Sequence, residues 1–185
     1  MWPWAHAAVG YLAYRLLGWR VGRPPDPAAV VVLGVTTQLP DLIDKPLGWY
    51  LGVLPGGRSL AHSLLFAGLV WAIADSAARR YDRPGLAGVA ALGYLSHLAG
   101  DSYQAVLTGE FAGLTFLAYP FVPIPEGPPG VGLLYLIRTQ QLDPFFLFGL
   151  ALTALAVGLW LADGRPGLGV LADWLPGDPA RSRAD

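Results

Sequence analysis

Residues 93–103, G-Y-L-S-H-L-A-G-D-S-Y, contain the two ionisable side chains around which the rest of the chain is organised. His97 and Asp101 are four residues apart, so on a helix their side chains lie one turn apart on the same face. Both groups cost free energy when they are buried without a partner, and the residues around them are mostly apolar. Two interpretations therefore stay open for this pair: a shared metal ion, or a His–Asp hydrogen bond inside a helical core.

The composition indicates a membrane protein with one domain. Of the 185 residues, 54% are apolar and 14% are charged, whereas about a quarter of the residues are charged in ordinary soluble domains. The mean hydropathy is +0.46. A net charge of −1 offers no basic surface for a phosphate backbone, so we expect no nucleic-acid partner. Because the chain has no cysteine, any metal must bind to His, Asp or Glu.

Hydrophobic segments separated by Pro, Gly and Arg predict an all-α fold, a polytopic integral membrane bundle of about five helices. The predicted helices cover residues 2–17, 27–39, 59–79, 85–107 and 145–162. Pro40 is expected to end the second helix. A long loop rich in Pro and Gly, residues 108–142, precedes the last helix and holds a short amphipathic piece at 131–142. We expect residues 1–165 to form a membrane-embedded domain and residues 166–185 a polar, flexible tail.

The distribution of Lys and Arg predicts the orientation of the chain. If the five helices alternate across a membrane, nine of the 12 basic residues fall on one side. These nine are Arg15, Arg20, Arg23, Arg79, Arg80, Arg83, Arg165, Arg181 and Arg183. The positive-inside rule makes that side cytoplasmic, so we expect the N-terminus outside and the C-terminus in the cytoplasm. The first segment lacks the features of a cleaved signal peptide, and we expect it to be retained.

The same topology brings every histidine to the outer side, together with three carboxylates. The predicted cluster consists of His6, Asp41, Asp44, His62, His97 and Asp101. In this arrangement His62 lies in the first turn of the third helix, and Asp41 and Asp44 follow the second. Imidazole and carboxylate groups are the ligands of zinc or mixed-metal hydrolytic sites that use no sulfur. We therefore predict a metal site at the outer rim of the bundle, although His6 also suits the polar tip of an interfacial helix.

Five sequence blocks in a fixed order carry a family resemblance. They are W-A-H-A-A-V-G, L-P-D-L-I-D-K-P, R-S-L-A-H-S-L-L, G-Y-L-S-H-L-A-G-D and F-L-A-Y-P-F, and they span about two thirds of the chain. With these blocks the chain resembles the membrane-bound metal-dependent hydrolases, described as LexA-binding, inner-membrane-associated hydrolases. The resemblance implies metal binding by residues of all but the last block, with Asp44 as a ligand or as a partner of one. The implied ligands are His6, Asp41, His62, His97 and Asp101.

The chain departs from the family pattern at two places. The family usually has P-D-x-D where this chain has P-D-L-I-D, and it commonly has H-R-G-x-T-H-S where this chain has Gly57 to Ser63 without the first histidine. The exact role of Asp44 is therefore left open, and one hydrogen-bonding group is missing. More remotely, the order of His and Asp residues is similar to that of the zinc-dependent phospholipase C and P1 nuclease group, which are all-helical phosphodiesterases.

Three functions fit such a site. We favour a metal-dependent hydrolase that uses one or two ions of zinc or another divalent metal to cleave a phosphoester or lipid-linked substrate. Asp44 or Asp41 would be the general base, and Arg58 would stabilise phosphate charge, unless it only snorkels to the interface. The alternative is a non-enzymatic membrane scaffold or interaction protein with a structural metal, which a closed four-ligand site would favour. A transporter is least favoured because the polar residues gather at one end.

Overall fold

A computed structural model describes residues 1–20, 22–124 and 132–174, and these residues form helices and loops without a strand. The all-α prediction is therefore confirmed for this part of the chain. Seven α-helices follow one another: α1 (Pro3–Arg20), α2 (Pro27–Lys45), α3 (Leu64–Arg80), α4 (Gly85–Thr108), α5 (Leu133–Thr139), α6 (Pro144–Ala162) and α7 (Leu168–Trp174). A π-helical turn, Pro46–Tyr50, follows α2, and a 3₁₀-helix, Phe111–Ala118, follows α4. Helix α7 lies within the predicted tail, residues 166–185, and packs against α2; the part of that tail beyond residue 174 lies outside the described residues.

Helix α4 is the centre of the bundle, because α1, α2 and α3 all pack against it. Helix α1 also packs against α2 and α6. One buried cluster joins Ala8 and Tyr11 of α1 to Leu33 of α2 and Ala156 of α6. A second cluster joins Tyr94 and Leu98 of α4 to residues of α3 and of the 3₁₀-helix, namely Ala67 and Phe116. The two clusters hold the long helices around α4 along its length.

A glycine lets α2 and α4 cross at close range. A Cβ atom on Gly93 would collide with the Thr36 hydroxyl and would lie 3.1 Å from the Leu33 carbonyl oxygen. Glycine is therefore the residue that fits here, since a side chain would push the two helices apart. His97 is one turn beyond Gly93 on α4, and Asp41 is further along α2. The close crossing thus brings the two halves of the predicted metal site together.

The prediction that α2 ends at Pro40 is wrong. The helix continues through Pro40 to Lys45 and then turns into the π-helical segment. A proline inside a helix costs about 3 kcal/mol because it removes one backbone hydrogen bond. Pro40 is fully buried, so packing offsets this cost. The consequence is that Asp41 and Asp44 lie on helix, three residues apart on one face.

The third helix also begins later than the sequence indicates, at Leu64 instead of residue 59. Ser63 is its N-cap, and the hydroxyl oxygen of Ser63 accepts a hydrogen bond from the Phe66 amide at 3.1 Å. The preceding turn is held by Asp44, whose carboxylate accepts backbone N–H groups of residues 59, 61 and 62. His62 therefore lies in a turn that α2 holds from the side, and not in the first turn of α3 as predicted.

The five long helices alternate in direction. At one end, the start of α1 meets the start of α6, where the rings of Trp2 and Phe146 lie 6.4 Å apart. At the other end, Arg15 of α1 contacts Asp163, which follows α6, with 2.7 Å between Nε and Oδ2. The predicted cluster residues all lie at the first end.

One helix of the described chain, α6, is long and apolar enough to cross a membrane. Its 19 residues extend over about 28 Å. The prediction of five such helices is therefore not confirmed: α1 to α4 form as helices but do not pass the same test. Large apolar side chains are nevertheless exposed on α1, α2, α3 and α4, for example Leu16, Val35, Leu69, Trp71 and Leu95.

Candidate metal centre

Four buried side chains converge on one point, those of Asp41, His62, His97 and Asp101. The Nε2 atoms of His62 and His97 are 3.1 Å apart. Oδ2 of Asp101 lies 3.3 Å from the His62 nitrogen and 3.7 Å from the His97 nitrogen. Oδ1 of Asp41 lies 3.5 Å and 3.8 Å from the same two nitrogens. The four atoms therefore surround a single position that all of them can reach at once.

These separations match the spacing of donors around a metal ion. Nitrogen and oxygen donors bind Zn²⁺ at about 2.0–2.2 Å, so the edges of a tetrahedron of donors measure about 3.3–3.6 Å. The five separations above range from 3.1 to 3.8 Å, and all four donor atoms lie within 4.8 Å of one another. The four donor atoms are therefore already spaced much as they would be around a bound divalent cation.

Hydrogen bonds fix the orientation of both imidazole rings. Nδ1 of His97 donates to the backbone carbonyl oxygen of Thr37 at 2.7 Å, because a carbonyl can only accept. Nδ1 of His62 lies 2.8 Å from Oδ2 of Asp44 and donates to that carboxylate. In the neutral rings, Nε2 then carries a lone pair that points toward the shared position. A carboxylate or a carbonyl behind a ligating histidine is the usual arrangement at metal centres.

Asp44 lies behind His62 and outside the set of ligand atoms. Its carboxylate accepts the N–H groups of Ser59 at 2.7 Å, Ala61 at 2.9 Å and His62 at 3.2 Å, in addition to the His62 ring. The side chain is completely buried. Of the roles that the sequence leaves open for Asp44, this geometry fits a partner that orients the ligand His62; the role of general base stays a prediction.

His6 lies beside the four ligand atoms without joining them. Its ring stacks on that of His97, with centroids 3.7 Å apart, and its Nε2 lies 3.3 Å from Oδ1 of Asp101. Neither ring nitrogen has a hydrogen-bond partner among the described residues, although the side chain is fully buried. A Cβ atom on Gly100 would lie 3.0 Å from Nδ1 of His6, so this glycine makes room for the ring. His6, which the sequence predicts as a metal ligand, thus faces Oδ1 of Asp101 and not the Oδ2 atom that lies near His62 and His97.

Both candidate ligand carboxylates are paired with cations, and for Asp101 the pairing includes Oδ2, the oxygen that faces the two histidines. Lys45 forms an ion pair with Oδ2 of Asp41, one helical turn away. Arg58 binds Asp101 with two contacts, Nε to Oδ2 at 2.8 Å and Nη2 to Oδ1 at 3.0 Å. The amino group of Met1 also donates to Oδ1, at 2.6 Å. Sequence analysis named Arg58 but missed Lys45, which the four-residue spacing from Asp41 would have indicated once α2 was extended past Pro40.

The environment of His62 favours positive charge at the centre. Burial lowers the pKa of His62, but the carboxylates of Asp101, Asp41 and Asp44 outweigh that effect and raise it to about 10. The same carboxylates that favour a proton on this ring favour a metal ion in its place.

A cleft of about 480 Å³ opens next to the centre. Its polar lining includes Asp41, Lys45 and Arg58, while much of its wall is aromatic or aliphatic. Of the four candidate ligands, Asp41 is the one that lines this cleft. The centre is therefore accessible from one side, through the carboxylate of Asp41 and the two cations next to it.

Comparison with known proteins gives one family. A sequence model described as YdjM inner membrane protein matches residues 1–165, which include every residue of the centre and of the cleft. No curated protein and no solved structure is detectably similar to the chain. The match covers well over half of the sequence, and the chain belongs to the YdjM inner membrane protein family.

Proposed function

We propose that this chain is a membrane-bound, metal-dependent hydrolase of the phosphoester class. The observation that carries the proposal is that the four-donor centre lies next to a cleft and shares Asp41 with its lining. A site that only stabilised the fold would not need access from a cleft. A substrate in the cleft would reach the centre beside Asp41.

The donor set supports a divalent cation, with zinc as the first candidate. Two imidazole nitrogens and two carboxylate oxygens suit Zn²⁺, and they also suit other first-row divalent metals. When bound, such an ion polarises a phosphoryl oxygen and lowers the pKa of water toward about 7. The two ring nitrogens of His6 are buried without a hydrogen-bond partner among the described residues, and this supports a further polar group or ion in this region.

We assign separate roles to the protein groups around the centre. Asp41 would hold the metal ion through Oδ1, and its other oxygen, Oδ2, which is paired with Lys45, would accept a proton from water. Arg58 lines the cleft with about half of its side chain exposed, and its charge would stabilise negative charge that develops on a phosphoryl group. Asp44 orients His62 and takes no part in proton transfer.

The proposed setting is the outer face of the inner membrane. Exposed apolar side chains on α1 to α4 support contact between these helices and lipid, in addition to the span formed by α6. Arg15, Arg79, Arg80 and Arg83 lie at the end of the bundle opposite the centre, in agreement with a cytoplasmic position for that end. The N-terminus and the cleft would then face outward.

Hydrolysis of a generic phosphodiester tests the proposal. The full chain, purified in a neutral detergent, is assayed with bis-nitrophenyl phosphate before and after chelation and after zinc is restored. We expect activity that chelation removes, that Asp41→Asn abolishes and that Asp75→Asn leaves intact, since Asp75 is at the far end of α3 and paired with Arg79. A protein that holds metal but hydrolyses none of a panel of phosphoesters would contradict the proposal.

One observation favours a second function, a structural metal in a membrane scaffold. Four protein donors can fill a tetrahedral site without leaving a position for water or substrate. In that case chelation would lower the thermal stability, and no hydrolytic activity would accompany metal binding. The same preparations distinguish the two functions.

A further inference from the structure

The cleft beside the centre has both charged and apolar lining residues. Lys45 and Arg58 are its cationic residues, and Lys45 Nζ lies 5.4 Å from the ring centre of Trp49. The apolar lining includes Leu42, Leu136 and Phe146. A ligand that fills this space must offer both a polar group and hydrocarbon.

The net charge around the centre depends on whether a metal ion is bound. Three carboxylates, those of Asp41, Asp44 and Asp101, are balanced by three cationic groups: Lys45, Arg58 and the amino group of Met1. A divalent ion would add two positive charges to this balanced set. The loaded centre would therefore attract an anion, and Lys45 and Arg58, which line the cleft, would bind it.

The rim of the cleft is apolar and exposed. Trp4, Leu42, Tyr50 and Leu133 all line the cleft and are 42%, 64%, 66% and 48% exposed. Leu42 belongs to α2 and Trp4 to α1, so the rim is continuous with helix surfaces that carry other exposed apolar residues. A purely water-soluble ligand gains nothing from such a rim, whereas a hydrocarbon chain could leave the cleft along it and enter the bilayer.

We propose that the ligand of this cleft is a phosphorylated amphiphile, with its phosphate between Lys45 and Arg58 and its hydrocarbon chain along Leu42 and Leu133. This inference rests on the proposed function, since it names the substrate class of the same centre. The phosphate could belong to a lipid headgroup or to a small soluble phosphoester. The exposed apolar rim favours the lipid.

Titration calorimetry on the zinc-loaded full chain in neutral detergent separates the sources. The three probes are dioleoyl phosphatidic acid, glycerol 3-phosphate and dioleoylglycerol, which carry head and tail, head alone and tail alone. We expect phosphatidic acid to bind at least about tenfold more tightly than either partial ligand, because a charge-assisted contact and chain burial both contribute. Equal affinity for glycerol 3-phosphate would overturn the lipid assignment, and equal affinity for dioleoylglycerol would overturn the phosphate assignment.

Two variants locate the binding site. Lys45→Met should weaken phosphatidic acid binding about tenfold or more and leave dioleoylglycerol binding unchanged, whereas Arg80→Met, which removes a charge at the opposite end, should change neither. Leu133→Gln, on the short helix α5, should weaken phosphatidic acid binding without changing zinc content. Unchanged binding in both cleft variants would overturn the proposal.

Failure of this inference is distinguishable from failure of the proposed function. If the protein hydrolyses bis-nitrophenyl phosphate in a zinc-dependent manner but does not prefer phosphatidic acid, the hydrolase proposal stands and the lipid substrate is excluded. If the protein binds phosphatidic acid through Lys45 but has no hydrolytic activity, the hydrolase proposal is excluded, and the cleft is then a binding site for an anionic lipid.

Discussion

Nε2 of His62 and Nε2 of His97 face each other at 3.1 Å in a fully buried site, between the carboxylates of Asp41 and Asp101. Each ring is held from behind through Nδ1, His62 by Asp44 and His97 by Thr37. Two imidazole nitrogens and two carboxylates that point at one position repel one another unless a proton on His62 or a metal ion lies between them. This arrangement is the physical reason for expecting a metal ion there.

We expect the replacement His97→Ala to remove metal from the purified protein, because it leaves three of the four donor atoms. Elemental analysis of the full chain measures the zinc content, and thermal unfolding with and without chelator measures its effect on stability. Chelation should lower the unfolding temperature of the wild type and of Asp75→Asn but not of His97→Ala. Equal zinc content in all three proteins would exclude this metal centre.

Asp44→Asn is expected to weaken metal binding by about 10- to 100-fold, as changes behind a ligating histidine do. An amide offers one acceptor oxygen where Asp44 now accepts four N–H groups, so His62 loses its fixed orientation. Hydrolysis measured against zinc concentration separates an orienting role from a general base. Excess zinc should restore most of the activity. Activity that stays lost at saturating zinc, in a folded protein, would return Asp44 to the role of base.

The sequence predicts which residues form the site better than it predicts how those residues are placed. The spacing of His97 and Asp101 places both on one face of α4, as expected, and the order of the helices brings His62 to the same end. The sequence left open whether Asp44 is a ligand or a partner of one, and the role of Lys45 was missed. Both roles depend on α2 continuing through Pro40, which packing allows against the local preference of proline.

The late start of α3 was equally hidden from the sequence. Ser59 and Ser63 are both good N-caps by residue type. The choice between them is made by Asp44, 15 residues before Ser59, whose carboxylate holds the backbone of the turn. A local sequence pattern cannot reveal a contact between residues 15 positions apart. The number of membrane spans likewise depends on how polar residues pack.

Gly93→Ala should destabilise the fold, and Gly88→Ala should not. A methyl group at position 93 meets the Thr36 hydroxyl and the Leu33 carbonyl, whereas at position 88 nothing lies within 4 Å. Overpacking of this kind costs about 1–3 kcal/mol, and an alanine at an open helical position gains up to about 1 kcal/mol. Chemical unfolding of both variants in the same detergent provides the comparison. Equal stability would mean that α2 and α4 do not cross as closely as described.

The contact between Arg15 and Asp163 should make the stability depend on pH in acid. The hydrogen bonds from Arg15 hold the pKa of Asp163 below its usual value. A carboxylate with a lower pKa in the folded state stabilises the fold above its unfolded pKa of about 3.9. That stabilisation is lost as the pH falls through the lower, folded-state pKa. The difference in unfolding temperature between the wild type and Asp163→Asn should therefore be constant from about pH 8 to 5 and shrink below about pH 4.

Asp75→Asn provides the control for this pH dependence. Asp75 also pairs with an arginine, Arg79, at 2.8 Å, but the arginine side chain is 72% exposed and the pair lies within one helix. Such pairs contribute little to stability, so this variant should follow the wild type at every pH. A difference for Asp163→Asn that persists unchanged to pH 2 would show that its effect comes from lost packing and not from charge.

Single cysteines at positions 58 and 80 test which end of the bundle faces outward, and the absence of native cysteine makes the labelling specific. Arg58 lies at the cleft and Arg80 at the end of α3 on the opposite side, and both side chains reach solvent. If the arginine-rich end is cytoplasmic, a thiol reagent that cannot cross the membrane should label Arg58→Cys in intact cells and label Arg80→Cys after lysis only. The reverse result would place the centre in the cytoplasm, and a substrate would then have to be sought among the lipids of the inner leaflet.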